Sequence, residues 1–200
     1  KIGNNEKSIK WFTEGSKYLT TYYGQLSYLK ISPNKLFELN KEKEVDKKYA
    51  ENLSGKELRD IMDKSSIVTI DGNEILHYGR QSIPSFYPGH SINSGPTGCM
   101  GVGLPYAIGA KIAKPQNQVF SLHGDGSLGM NIQDFDTAVR HNLPIIILVS
   151  NNEGWTARVE GIRKPGRELG FTRFDLIAES LGGYGEMVEK PDEIKPAIER

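Results

Sequence analysis

The segment Val119-Phe-Ser-Leu-His-Gly-Asp-Gly-Ser-Leu-Gly129 carries the most concentrated chemical signal in the chain. An apolar run enters a glycine-rich turn with a helix expected behind it. By this arrangement α/β folds aim backbone N–H groups and a helix N-terminus at phosphate oxygens. Gly124, Gly126 and Gly129 satisfy the dinucleotide spacing G-x-G-x-x-G. That fingerprint also requires an acid about 20 residues on, at the end of the next strand, to hold a ribose hydroxyl. Here the next strand ends in Ser150-Asn151-Asn152, and Glu153 comes late.

A different demand fits both ends of this unit. Asp125 follows one strand and Asn152 the next, with 26 residues between them. In a right-handed strand-helix-strand unit the parallel strands finish on one edge, so the two side chains can share an ion. One carboxylate and one amide oxygen form a hard, incomplete, oxygen-only shell. Such a shell suits Mg²⁺ better than zinc and leaves octahedral positions for phosphate oxygens and water. The competing reading, from another class, is a non-catalytic nucleotide-binding module whose glycine turn holds NAD or a nucleotide. Asp125 discriminates, because a metal-bound diphosphate needs its charge.

Gly124-Asp125-Gly126, 24 further residues and Asn151-Asn152 resemble the thiamine-diphosphate (ThDP) motif. The resemblance implies Mg²⁺ ligation by Asp125, Asn152 and the carbonyl of Gly154. It also implies diphosphate contacts from Ser127 and the Gly126–Ser127 backbone, with Gly124 and Trp155 at cofactor-binding positions. Upstream, Ser94-Gly-Pro-Thr-Gly98-Cys99-Met100-Gly-Val-Gly-Leu-Pro105 resembles the segment that cradles the cofactor's pyrimidine ring in the acetolactate synthase and oxalyl-CoA decarboxylase group. By that resemblance Met100 is the apolar wedge, the Gly98 carbonyl and Met100 N–H meet the aminopyrimidine, and Cys99 stands where a small residue is usual. Glycines admit a flat ring close to the backbone, and an unbranched thioether fills the irregular space below it.

The resemblance covers residues 54–200 and implies a three-layer α/β fold, a parallel sheet with helices on both faces. Residues 1–53 would be the end of a middle domain and a linker, and residues 54–200 a cofactor domain truncated at its C-terminal helix. No catalytic residue is assigned here, since the family's activating glutamate lies on the partner's pyrimidine domain. The 200 residues are therefore expected to be inactive alone. The resemblance implies a homodimer or homotetramer, a 2-oxo acid or acyl-CoA substrate, and FAD, if any, only in domains outside this chain. Acetolactate-synthase-like chemistry is the preferred reading. Oxalyl-CoA decarboxylase or 2-hydroxyacyl-CoA lyase is the alternative, favoured by Arg140-His-Asn-Leu-Pro144 and by the run from Arg173 to Glu186. The segment from Glu153 to Arg163 lacks both the Gln-Gly-Met run of the synthases and the Gly-Ile-Tyr run of the decarboxylases, which leaves the substrate open.

The elements that must position these residues follow from periodicity. Helices are expected from Ser54 to Asp63, Gly101 to Ala113, Met130 to His141, Arg173 to Leu181, and from Pro191 onward. Strands are expected at Ile67–Ile70, Val119–His123 and Ile145–Val149, with a short one at Glu186–Val188. This alternation argues for a parallel sheet. Asp71-Gly72 through Gly79 follows the first strand and is expected near the diphosphate's far side. The run Lys41–Lys48 reads as a solvated helix face. Both ends of the chain read as cut.

Arg158, Arg163, Lys164, Arg167 and Arg173 hint at an anionic substrate near the segment after the metal motif. His123 reads as structural, and His77, His90 and His141 show no ligand spacing. With 25 Lys+Arg against 25 Asp+Glu, the zero net charge argues against a nucleic-acid partner. The longest aliphatic run, Ile145 to Val149, falls far short of the roughly 20 residues of a membrane span. A single cysteine excludes internal disulfides and fits the cytoplasm.

Overall fold

The computed structural model describes residues 55–156 and 165–200, together with helical residues 9, 10 and 13. The expectation for Lys41–Lys48 and the assignment of residues 1–53 therefore lie outside the described residues. Helix α1 (Gly55–Ile61) leads into strand β1 (Ile67–Asp71), helix α2 (Glu74–Ser82) and the two-residue strand β2 (Ser91–Ile92). A 3₁₀ turn at Gly95–Thr97 precedes helix α3 (Gly103–Ala113) and strand β3 (Val119–Gly124). Helices α4 (Asp125–Asn131) and α5 (Asp134–Arg140), strand β4 (Ile146–Ser150), and helices α6 (Phe174–Ser180) and α7 (Pro191–Glu199) complete the order.

Among the described residues the strands form one parallel sheet in the order β2-β1-β3-β4. The two-residue period of the strands sorts their side chains between two apolar layers. Val68, Ile70, Phe120 and Leu122 point to one face, where Leu58 and Met62, Ile75 and Leu76 of α2, and Ile198 of α7 pack. Ile67 and Val119 point to the other, against Ala107 and Ala110 of α3. Alanines at those positions let the helix axis approach the sheet closely. Helices thus cover both faces, as the three-layer α/β reading requires.

The α3 face turns polar toward the carboxyl ends of the strands. Thr69 Oγ1 and Ser121 Oγ lie 2.7 Å apart, and Ser121 Oγ lies 2.7 Å from His123 Nε2, all fully buried. Asp71, paired in register with His123, accepts the N–H groups of Val102 (2.7 Å) and Gly103 (2.8 Å) on its Oδ2. A strand-end carboxylate thereby caps the start of α3, where Val102 offers no side-chain cap of its own. A Cβ at Gly103 would stand 2.6 Å from both Asp71 Cβ and His123 Cε1, so glycine is required for this close approach.

Two expectations need correction, and two elements went unpredicted. The helix expected to start at Met130 begins at Asp125 and is interrupted at Ile132–Gln133, where Phe135 N bonds Ile132 O and Asp136 N bonds Gln133 O as in a tight turn. The strand expected at Glu186–Val188 does not form, because Gly185 packs directly on the Asp175 backbone and draws the segment along α6. Residues 74–82 form a helix, and Ser91–Ile92 an edge strand, that periodicity did not reveal. Among the described residues no helix is long and apolar enough to cross a membrane.

Candidate functional site: a cleft at the carboxyl edge of the sheet

From β1 the chain moves outward to β2 on one side and returns to β3 on the other, so the reversal of strand order lies between β1 and β3. In an open α/β sheet the crevice outside the strand ends at such a point is the natural ligand site. A cleft opens there, lined by Gly72, Asn73, Glu74 and Ile75 after β1, and by Gly124 to Ser127 after β3. Ser150, Asn152 and Gly154 to Thr156 after β4, with Met100, complete the lining.

Glycines after β1 and β3 let the backbone pack closely at the floor of the cleft. Gly72 sits at φ +131°, a conformation that side chains resist, and a Cβ there would meet Ile75, Gly124 N at 3.2 Å and Ser127 Oγ. Gly126 lies under the indole of Trp155, whose Cε3 would be 2.7 Å from an added Cβ. Ser127 is buried, and its hydroxyl lies 2.9 Å from the carbonyl of Asp71 and 3.0 Å from that of Gly124. The hydroxyl thus ties β1 to β3 and is already engaged by carbonyls. Asp125 opens α4 with its side chain buried, and its Oδ2 finds no hydrogen-bond partner among the described residues.

Across the cleft, Asn152 Oδ1 is buried and equally without a partner among the described residues. Its Nδ2 donates to Glu74 Oε2 (2.7 Å) and, at 3.4 Å, to the carbonyl of Thr156. Burying a carboxylate oxygen and an amide oxygen unpaired is costly, and a cation between them would offset that cost. Two oxygens of this kind, in a cleft that Gly154 also lines, fit a hard divalent cation. The Asn152–Thr156 turn is fastened from behind. Gly154 bridges Glu168 antiparallel, Trp155 N donates to Arg167 O, and Leu169 N donates to Glu153 O, both at 3.0 Å. Arg167, only 7% exposed, donates from Nε to Thr156 O (2.9 Å) and from Nη2 to Asn152 O (3.2 Å). Its guanidinium fills the space that a Cβ on Gly154 would need.

The structure thus gathers Met100, Gly124, Asp125, Gly126, Ser127, Asn152, Gly154 and Trp155 around one cleft. Gly98 and Cys99 stay on the surface beyond its lining, Gly98 with φ +65° at the end of the 3₁₀ turn. Of the five basic residues, Arg158, Arg163 and Lys164 lie outside the described residues. Arg167 is consumed by the carbonyls just named, and Arg173 pairs with Asp175, its Nε at 2.8 Å from Oδ1. Neither supports the hint of an anion-attracting loop. His123 lies beneath the cleft, 1% exposed, and desolvation pushes its pKa down to about 4 despite the nearby Asp71 carboxylate. It is neutral there, in keeping with a structural part.

Glu74 was expected only as part of the stretch from Asp71 to Gly79, and Arg167 only among the arginines near an anionic substrate; neither, nor Thr156, was singled out as a partner of Asn152. Glu74 carried a faint signal in its place just behind Asp71-Gly72. Arg167 was visible only as one arginine among several.

The family model described as the thiamine pyrophosphate enzyme C-terminal TPP binding domain matches residues 76–200. An acetolactate synthase large subunit of Mycobacterium tuberculosis is 37% identical over 155 residues, which is 72% of this chain and 27% of that protein. A 2-hydroxyacyl-CoA lyase 2 of Bos taurus is 30% identical over 141 residues, 68% of this chain and 22% of that protein. The human 2-hydroxyacyl-CoA lyase 2 is 32% identical over 134 residues, 64% of this chain and 21% of that protein. The chain spans about a quarter of the length of these curated relatives. The matched residues contain the strand-end turns that bear Asp125 and Asn152, and the chain belongs to the thiamine pyrophosphate enzyme family as its C-terminal TPP-binding domain.

Proposed function

We propose that this cleft holds the diphosphate of ThDP through Mg²⁺, in an enzyme that makes or breaks a C–C bond next to a carbonyl. The preferred substrates are 2-oxo acids, in acetolactate-synthase-like chemistry. The observation that carries the reading is a pair of buried oxygens without partners among the described residues, Asp125 Oδ2 and Asn152 Oδ1, on two residues that line one cleft from the ends of β3 and β4.

In this reading Asp125 and Asn152, with the Gly154 carbonyl, would hold the cation. The first-turn N–H groups of α4, which lack intrahelical partners, face the anion. Met100 and Trp155 form the apolar walls that keep water from the cofactor's flat rings. When bound, ThDP would supply nucleophilic-carbon and electron-sink chemistry for bonds next to a carbonyl. The 37% identity to an acetolactate synthase supports the 2-oxo acid substrate. The lyase relatives support a second reading, an acyl-CoA substrate. Assays of the full-length protein with pyruvate against a 2-hydroxyacyl-CoA separate the two.

We further take the 200 residues alone to be inactive, since they span a quarter of the relatives' length. We take the full-length protein to be a cytoplasmic homo-oligomer, supported by the single cysteine and by the exposed apolar side chains of Met100, Met130 and Leu169. Calorimetric titration of the full-length protein with ThDP, with and without Mg²⁺, tests the central claim. Magnesium-dependent binding weakened more than about a thousandfold by Asp125→Ala, about 4 kcal/mol, is the expected result. NAD binding that survives the substitution would instead favour a nucleotide-binding module.

A further inference from the structure

Glu74 is a carboxylate placed where an anion is to bind, which calls for a reason. It is the first residue of α2, directly behind the positive-φ turn at Gly72, and its Oε2 accepts the Asn152 Nδ2 at 2.7 Å. An asparagine amide has two ends of similar shape and opposite polarity, and only the oxygen end can ligate a cation. An ionised carboxylate accepts and never donates, so it pairs with the NH₂ end alone. Held in this way, Asn152 turns Oδ1 the other way, and that is the buried atom left without a partner among the described residues.

The geometry points to Glu74 as the positioning residue that sets the orientation of the Asn152 amide for the cation, an inference that rests on the cofactor reading above. Its hydrogen bond does the orienting. Its charge works against diphosphate binding, since a carboxylate facing the same cleft repels an anion. The hydrogen bond and the charge therefore make opposite predictions for neutral substitutions. Glu74→Gln keeps the reach and an acceptor oxygen while removing the charge. Glu74→Leu removes both, and Glu74→Asp keeps the charge but falls a methylene short.

The test is the Mg²⁺-dependent affinity for ThDP of the full-length protein and these three variants, with the melting temperature of each cofactor-free protein as a check on folding. Loss of a hydrogen bond that orients a metal ligand costs about 10- to 100-fold in affinity. The expected result is a loss of that size for Glu74→Leu and Glu74→Asp, a smaller loss for Glu74→Gln, whose amide can accept from Asn152 Nδ2 but can also turn to donate to Oδ1, and unchanged cofactor-free melting. Parental or tighter binding by the leucine variant overturns the proposal, as does equal weakening in all three. If the leucine variant does not fold, Glu74→Asp decides, and parental affinity there overturns the proposal. Absence of Mg²⁺-dependent binding by the parent overturns the cofactor reading itself, and this proposal falls with it.

Discussion

At the end of β3 the turn is closed by near neighbours and by the adjacent strand. Ser127 Oγ reaches the carbonyl of Gly124 three residues back and that of Asp71 on β1. Gly72 and Gly126 leave room for the tight packing, and α4 starts within the turn. At the end of β4 the Asn152–Thr156 turn is held from a distance, by Glu74, 78 positions earlier, and Arg167, up to 15 positions later. Both turns place a buried oxygen without a hydrogen-bond partner among the described residues at the same cleft. The first owes its shape to glycine geometry and sheet register, the second to ionised side chains reaching backbone carbonyls and an amide. They should therefore fail under different insults.

The largest expected difference is in response to acid. His123 lies next to Gly124 beneath the first turn, with a folded pKa of about 4 against an ordinary value of 6.5. Between these values the unfolded chain binds a proton that the folded chain refuses, so stability is full above about pH 6.5 and falls as pH drops toward 4. The shift corresponds to about 3 kcal/mol. Urea titrations of the cofactor-free protein at pH 7, 5.5 and 4.5 measure it, and His123→Gln should flatten the slope. An unchanged slope in that variant would remove His123 as the source.

The second turn should instead respond to loss of a guanidinium. Arg167→Met deletes both bonds to the Asn152 and Thr156 carbonyls from a buried site, an expected cost of about 2 kcal/mol. The cost should be read as a lower urea midpoint with an unchanged m-value, together with weaker Mg²⁺-dependent ThDP binding. A change below about 0.5 kcal/mol would mean that the backbone bridge at Gly154 holds the turn without help.

A calibration point lies outside both turns. Arg140 and Asp136 pair on the exposed side of α5 at 2.6 Å, four residues apart. Arg140→Ala should cost no more than about 0.5 kcal/mol and leave cofactor affinity unchanged. A larger effect would show that surface pairs in this domain matter more than the comparison assumes.

The same contrast governs how much of the site was legible in the sequence. Asp125 was readable because strand, glycines and helix follow one another within a dozen residues, and Asn152 because parallel strands end on one edge. The sheet and its helical layers followed from alternating apolar runs. Glu74 was not readable as a partner of Asn152, because their meeting depends on β1 and β4 flanking β3, a spatial order that no local pattern encodes. Arg167 looked like any exposed arginine, since its burial comes from the chain folding back onto Gly154. The early start of α4 was missed because Gly126 and Gly129 lower helix propensity, while the sheet edge fixes the helix there regardless. At Glu186–Val188 an apolar fragment suggested a strand, but packing of Gly185 on α6 decided otherwise.

The bridge between Gly154 and Glu168, flanked by the Trp155–Arg167 and Leu169–Glu153 bonds, works as a stem clasped at its base. Whatever length of chain runs between the two sides of a clasped stem, the ends meet at the same place. Lengthening such an excursion twofold adds only about 0.6 kcal/mol of closure entropy. The Asn152–Thr156 turn is thereby insulated from insertions and deletions between Thr156 and Arg167. Descendants of one ancestral gene can exchange that stretch while inheriting the same turn.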